Sequence, residues 1–343
     1  MRFLLDAEQA EFGRTLGRML AAADAPAAVR AWGAGDSAPG SAVWRRLAGA
    51  GVFGLAVSEE YGGAGFLPVE LVVSFAELGR YAVPGPLVET VAAAVLLERL
   101  GDTGGLAGIW QPAIAAGDVM VSYADLARGP YALDAATTDA TFLVDGDTLR
   151  ASDGSGPVQP SVDPARRLTR CQGGAALASG PAVRAAATQA TDIARLLTAA
   201  QALGVGWRLL DDTVAYVKQR TQFGVAVGSF QAVKHRLADV LLALEFAVPL
   251  VYGAAVEVAG ASPAGTAGAA DAAGAGIAMA KVAAGEAAYA AARAALQLHG
   301  ALGYTDELDL SLWIRKARAL RNAWGTPAEC RARVLPSRAT PAR

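Results

Sequence analysis

Two histidines and two cysteines among 343 residues leave little with which to hold a metal ion. Cys171 and Cys330 fall in no CxxC or histidine-containing spacing, which argues against a zinc site or a redox dithiol and reads as a reducing, cytoplasmic setting. Charge of one sign is equally scarce, since 30 Lys and Arg oppose 32 Asp and Glu for a net charge of −2. No bulk field draws such a chain to phosphate-rich polymers, so nucleic acid is not an expected partner. The stretch from Met1 to Asp6, with Glu8 and Glu11 after it, lacks the basic flank and apolar run of a secretory leader. Asp271, Lys281, Glu286 and Arg293 interrupt the Ala-rich segment from Ala267 to Ala295, which predicts a packed helix and no membrane span.

With 53% hydrophobic residues the chain can bury a large core, and its length fits two or three structural units. Residues 1–117 read as helices, because apolar residues such as Val69, Val72, Val73, Ala76 and Leu78 recur at three- and four-residue steps. The run from Glu59 to Gly65 is too poor in side chains to be anything but a loop. Across 118–182 the pattern turns β-rich at Val119–Tyr123 and Thr141–Val144, and Asp145-Gly146 signals a hairpin. Pro157, Pro160, Pro164 and Pro181 keep the rest of that unit from being helical. Helical periodicity fills 183–343. One face carries Ile193, Leu196, Leu197, Ala200, Leu203, Leu210, Val214 and Val217. A second carries Val233, Leu237, Val240, Leu241, Leu244, Val248 and Val251, and a Gly-Ala-Ser-Pro loop at 260–263 follows it. The fold class is therefore mainly α with a small middle β domain.

The sharpest local signal is Arg220-Thr221-Gln222-Phe223-Gly224, then Phe230-Gln231, then Lys234 to Asp239. A basic residue at a helix end, a glycine turn and a new helix can present a guanidinium and backbone amides to an anion, although the residues alone fit a structural loop as well. The spacing is similar to the signature of the acyl-CoA dehydrogenases, and Gln297-Leu298-His299-Gly300-Ala301-Leu302-Gly303-Tyr304 follows at the distance that family shows. Glu59-Glu60-Tyr61-Gly62-Gly63 also resembles a family segment. The resemblance implies a helical N-terminal domain, a β domain and a C-terminal four-helix bundle, with FAD lying across a subunit interface. It implies that Arg220 meets the FAD pyrophosphate and that Phe223, Phe230 and Gln231 line the adenosine side, with Gln222 and Gly224 in the same loop. Gln297 and the backbone at Gly300 and Ala301 would complete that region. His235 and His299 read as structural or solvated.

The resemblance also exposes losses. Desaturation of an acyl-CoA needs a base for the α-proton, a group worth about 10²–10⁴-fold in rate. Trp324 stands where most members carry the glutamate, and Ala194 stands at the alternative position beside Arg195. Asp192 is two residues away, about 200° around the helix. The segment Tyr123 to Pro130 lacks the family's flavin-contacting sequence, and Ala328 replaces a glutamine. No residue is left to assign as catalytic. What is lost belongs to a subunit's own flavin and substrate site, and what is kept serves the neighbour's FAD. The sequence thus predicts the non-catalytic subunit of a heteromeric FAD-dependent acyl-CoA dehydrogenase. Its partner would be a homologous subunit holding the acyl-CoA, for example a steroid side-chain thioester. A self-sufficient enzyme with a relocated base and a non-redox scaffold are the alternatives.

Overall fold

The computed structural model describes residues 4–101, 103–260 and 267–338. Six helices come first: α1 (Ala7–Ala21), α2 (Ala25–Ala34), α3 (Ala38–Gly49), α4 (Pro68–Arg80), α5 (Leu87–Leu100) and α6 (Leu106–Ala116). Their ends follow local chemistry. Asp6 and Gln9 form a capping box on α1, and Asp24 accepts the Ala27 N–H at the start of α2, which Gly35 terminates in the left-handed region. Between α3 and α4 a two-residue ribbon pairs β1 (Ala56–Val57) with β2 (Gly65–Phe66) across the Glu59–Gly65 loop.

The middle sheet holds β3 (Val121–Asp125), β4 (Tyr131–Leu133), β5 (Ala140–Asp145), β6 (Thr148–Gln159) and β7 (Leu168–Ser179) in the order β3-β5-β6-β7-β4. Only β3 and β5 run parallel. The hairpin signal at Asp145-Gly146 joins β5 to β6, with Asp145 opposite Thr148. Pro157 sits within β6 where the register with β7 slips between Ser155 and Val158, a bulge that tolerates the missing N–H. Pro181 marks the return of helical structure, where the sequence reading had it resume. It opens the next helix, a position where its fixed φ helps and its lost donor costs nothing.

The C-terminal helices are α7 (Pro181–Gln219), α8 (Gln231–Gly260), α9 (Ala267–His299), α10 (Leu310–Asn322) and α11 (Pro327–Arg338), with the small ribbon β8 (Thr221–Gln222) and β9 (Val225–Ala226) between α7 and α8. The loop expected at 260–263 falls largely outside the described residues. A single apolar face was predicted for α7, yet from Ala190 to Gly206 it is buried all round. The cause is its position, since α4, α5, α8, α9 and α10 all pack against it. Gly79 of α4 and Gly204 of α7 permit this, because a Cβ on either would overlap the other helix's backbone. A buried ion pair, Lys316 Nζ to Asp163 Oδ2 at 2.8 Å, ties α10 to the segment before β7. Among the described residues, the helix long and apolar enough to cross a membrane by composition is α8 rather than the Ala-rich α9.

Candidate functional site

Arg220 caps α7 from outside, with extended backbone and its N–H donated to the Tyr216 carbonyl at 2.9 Å. β8 and β9 then form a hairpin whose two-residue turn is Phe223-Gly224, both at positive φ (54° and 80°). That is a primed turn, which suits glycine at both places; the phenylalanine bears a strain of about 1–2 kcal/mol. Phe223 nevertheless leaves 94% of its surface in solvent. Phe230 is also exposed and Gln231 opens α8. Among the described residues no carboxylate lies within ion-pair distance of Arg220. Gln222 bonds only locally, its amide donating to the Thr221 carbonyl at 2.8 Å.

The second predicted segment reaches the same end of the bundle. His299 is buried, donates Nδ1–H to the Ala295 carbonyl at 2.8 Å, and stacks on Tyr216 with ring centroids 4.1 Å apart. Tyr216 lies one turn before Arg220, so this stack fixes the C-terminal end of α9 beside that of α7. Gln297, Gly300 and Ala301 are exposed there, with Tyr304 79% exposed just beyond. No hydrogen bond joins the two segments among the described residues. His235 is exposed. The edge is thus a row of exposed polar, aromatic and backbone groups, a surface able to receive an anionic and aromatic ligand.

The position that would carry the base is filled. Trp324 takes φ 57°, and its carbonyl accepts from Arg195 Nε at 3.0 Å and Arg128 Nη2 at 3.3 Å. Its indole stacks on Tyr123 at 5.4 Å and 8°, and its N–H donates to Glu89 Oε1 at 3.1 Å. The remaining cleft has a volume of 170 Å³, below the about 300–1,000 Å³ of ordinary small-molecule sites. Ala194 is fully buried. Asp192, as expected, is no substitute: Arg195 and Arg333 both bind it, Arg333 Nη2 at 2.7 Å from Oδ2.

Glu89 was missed at the sequence level. It is a lone carboxyl in the apolar run from Leu87 to Leu97, an irregularity that could have drawn notice. It is fully buried on α5, lines the cleft beside Trp324 and Arg166, and burial holds its pKa above the usual carboxylate value. Burial likewise raises the Tyr123 phenol.

A different surface lies along α8. A groove of 590 Å³ between α7 and α8 is lined by Trp207, Leu210, Val214, Leu237 and Leu241. Leu241, expected in the buried stripe, is 41% exposed, and Leu242, Phe246 and Leu250 continue the uncovered apolar ridge.

Comparison with known proteins places this geometry. Residues 6–117 match the family described as acyl-CoA dehydrogenase, N-terminal domain, and residues 184–334 match acyl-CoA dehydrogenase, C-terminal domain. Acyl-CoA dehydrogenase IpdE2 of Mycolicibacterium smegmatis is 33% identical over 306 residues, covering 89% of this chain and 90% of that protein. The steroid acyl-CoA dehydrogenase variant Tcur3481-Tcur3483 superposes with a TM-score of 0.75 at 25% identity, covering 97% of this chain and 98% of that one. The ChsE4-ChsE5 complex from Mycobacterium tuberculosis shares the fold, with a TM-score of 0.83 at 22% identity over the full length of both chains.

Proposed function

The chain belongs to the acyl-CoA dehydrogenase family, and we propose that within it this is a non-catalytic subunit that completes the FAD site of a homologous, catalytic partner. The observation that carries the reading is Trp324. A dehydrogenating subunit needs a carboxylate over the substrate α-carbon and room for a tricyclic ring. Here an indole pinned by Glu89, Tyr123, Arg128 and Arg195 takes that place and leaves 170 Å³. The chain's own cleft does not fit FAD.

The edge at the far ends of α7 and α9 does. Arg220 would hold the pyrophosphate with a charge-assisted fork, and the exposed rings of Phe223 and Phe230, with Gln231, would cover the adenosine. Gln222 and Gly224 shape the turn, while Gln297, Gly300 and Ala301 close the other side. When bound, FAD supplies the acceptor for the β-hydride. The residues here only hold and orient it. Two solved neighbours support a heteromeric and steroid-directed setting, one named as a steroid acyl-CoA dehydrogenase and the other as a complex of two named chains. The acyl-CoA would then be a bulky one, seated in the partner. Two free cysteines fit a reducing cytoplasm.

Glu89 favours a second reading, a self-sufficient enzyme whose base has moved, since a buried carboxyl with a raised pKa lines the central cleft. One experiment separates the two: flavin content, and acyl-CoA dehydrogenation with an artificial acceptor, for the chain alone and with a homologous partner. The proposal expects little flavin and negligible turnover alone, and both together. A yellow, active homo-oligomer that loses turnover on Glu89→Gln would establish the second reading instead.

A further inference from the structure

The Ala-rich helix α9 carries a single lysine, Lys281, and that lysine is 1% exposed. Among the described residues no carboxylate lies within ion-pair distance of it, and burial above all lowers its pKa to about 8. An ammonium is disfavoured in such a place unless its protons are all bonded. Here they are, since Nζ donates to the carbonyls of Leu320 at 2.9 Å, Arg321 at 3.0 Å and Gly325 at 3.3 Å. The first two belong to the last turn of α10, the negative end of a helix, where a cation is an ordinary cap. The third lies beyond the helix, on the far side of Trp324. Capping does not call for it.

The turn that Lys281 spans needs holding. Trp324 sits at φ 57°, in the left-handed region that a bulky side chain rarely adopts, and Gly325 follows at φ 148°. There is no slack at Gly325, where a Cβ would come within 2.9 Å of the Cys330 Sγ. Thr326 then begins α11 with a reciprocal cap, its N–H donated to Glu329 Oε2 at 2.7 Å and its hydroxyl accepting the Glu329 N–H at 3.2 Å. Between the two helix ends, three cations grip four carbonyls. Lys281 takes those of Leu320, Arg321 and Gly325, while Arg195 and Arg128 share that of Trp324. Released, the backbone at Trp324 would relax to negative φ and swing the indole away from Tyr123 and Glu89.

We propose, resting on the reading of Trp324 as the group that closes the chain's own cleft, that Lys281 is the positioning residue for that indole. It acts through the backbone, holding the turn on both sides of Trp324, and does not touch the ring.

Acrylamide quenching of tryptophan emission in the full chain tests this, with the share of Trp324 among the six tryptophans isolated as the difference between each protein and its Trp324→Phe counterpart. In Lys281→Met, which keeps an unbranched side chain without the donors, the Trp324 share should approach the accessibility of free indole well below the melting temperature. Ala284→Gly, at a buried site one turn away on α9, weakens the helix without reaching the turn and should quench as the parent does. Where Lys281→Met does not fold, nitrogen-15 NMR of the lysine ammonium groups decides. Two of the four lysines, Lys281 and Lys316, are buried, and both should show slowly exchanging ammonium protons in the parent. Trp324→Ala removes the anchors on the other side of the turn and should speed exchange at Lys281 about tenfold, while Lys316, paired with Asp163, stays as it was. Neither measurement involves flavin or turnover, so an active, yellow homo-oligomer would overturn the non-catalytic reading and leave this result standing. Parent-like Trp324 quenching in Lys281→Met, equal exposure in Ala284→Gly, or lysine ammonium signals that are absent or indifferent to Trp324→Ala would each overturn the proposal.

Discussion

Phe223 holds a strained backbone and an exposed ring at once, a combination that supports the proposed contact with FAD bound by a partner. Beside it, Arg220→Ala is expected to weaken FAD retention by the hetero-oligomer about tenfold or more, from the loss of a charge-assisted bond of about 1.5–3 kcal/mol. The melting temperature of the FAD-free protein should not move. Had Arg220 only capped α7, that melt would fall while FAD affinity stayed, because a cation at a helix end contributes about 0.3–1 kcal/mol to the fold. Flavin release and calorimetric melts on the same samples discriminate. Trp324 makes the opposite case. Trp324→Ala removes a half-buried indole, unstacks Tyr123 and leaves Glu89 without its donor. A loss of about 2 kcal/mol is expected in denaturant unfolding, less than a fully buried Trp→Ala change brings, with partial recovery on adding free indole. An unchanged midpoint would mean that the indole does not hold the cleft closed.

Among the described elements, α8 leaves an apolar face uncovered. Its inner stripe of Val240, Leu244, Ala247 and Val251 is buried against the bundle, while Leu242, Phe246 and Leu250 face solvent on the other side. A ridge of that kind, continuous with a 590 Å³ groove, supports the proposed assembly with a homologous subunit. Phe246→Asp is expected to shift the protein from oligomer to monomer in light scattering and to change the unfolding free energy of the monomer by less than about 0.5 kcal/mol, as exposed substitutions do. If the parent itself persists as a soluble monomer at high dilution, α8 is not an assembly face. The contrast with α7 is instructive, since both helices read as striped in sequence. α7 is wrapped by the helices α4, α5, α8, α9 and α10 and so buries its polar Thr191, Thr198 and Gln201 along with its leucines.

For the whole molecule, a buried acid joins the N-terminal helices to the sheet. Asp134, after β4, accepts the Trp32 indole N–H of α2 at 2.9 Å, and burial pushes its pKa up to about 7. A carboxyl raised above its unfolded value of about 3.9 stabilises the fold fully below that value and loses the contribution as pH rises through about 7. The parent's melting temperature should therefore fall between pH 4 and 8 more steeply than that of Asp134→Asn, and parallel curves would refute the assignment. Much of this protein was legible without coordinates. The β-rich middle, the helical flanks and the Arg220 signature rest on local periodicity and spacing, which a chain carries in its own order of residues. The absence of a base at 324 and 194 was legible too, because it is a matter of identity. The residues that fill the cleft were not: Glu89, Tyr123, Arg128 and Trp324 come from three separate stretches, and a lone carboxyl in an apolar run acquires meaning only when its neighbours are known. Sequence determined which groups the chain owns and what each segment prefers to be. Tertiary structure alone decided which of them share a cavity, which face of α8 stays uncovered and which acids are stripped of water, because burial and convergence depend on packing between segments distant along the chain.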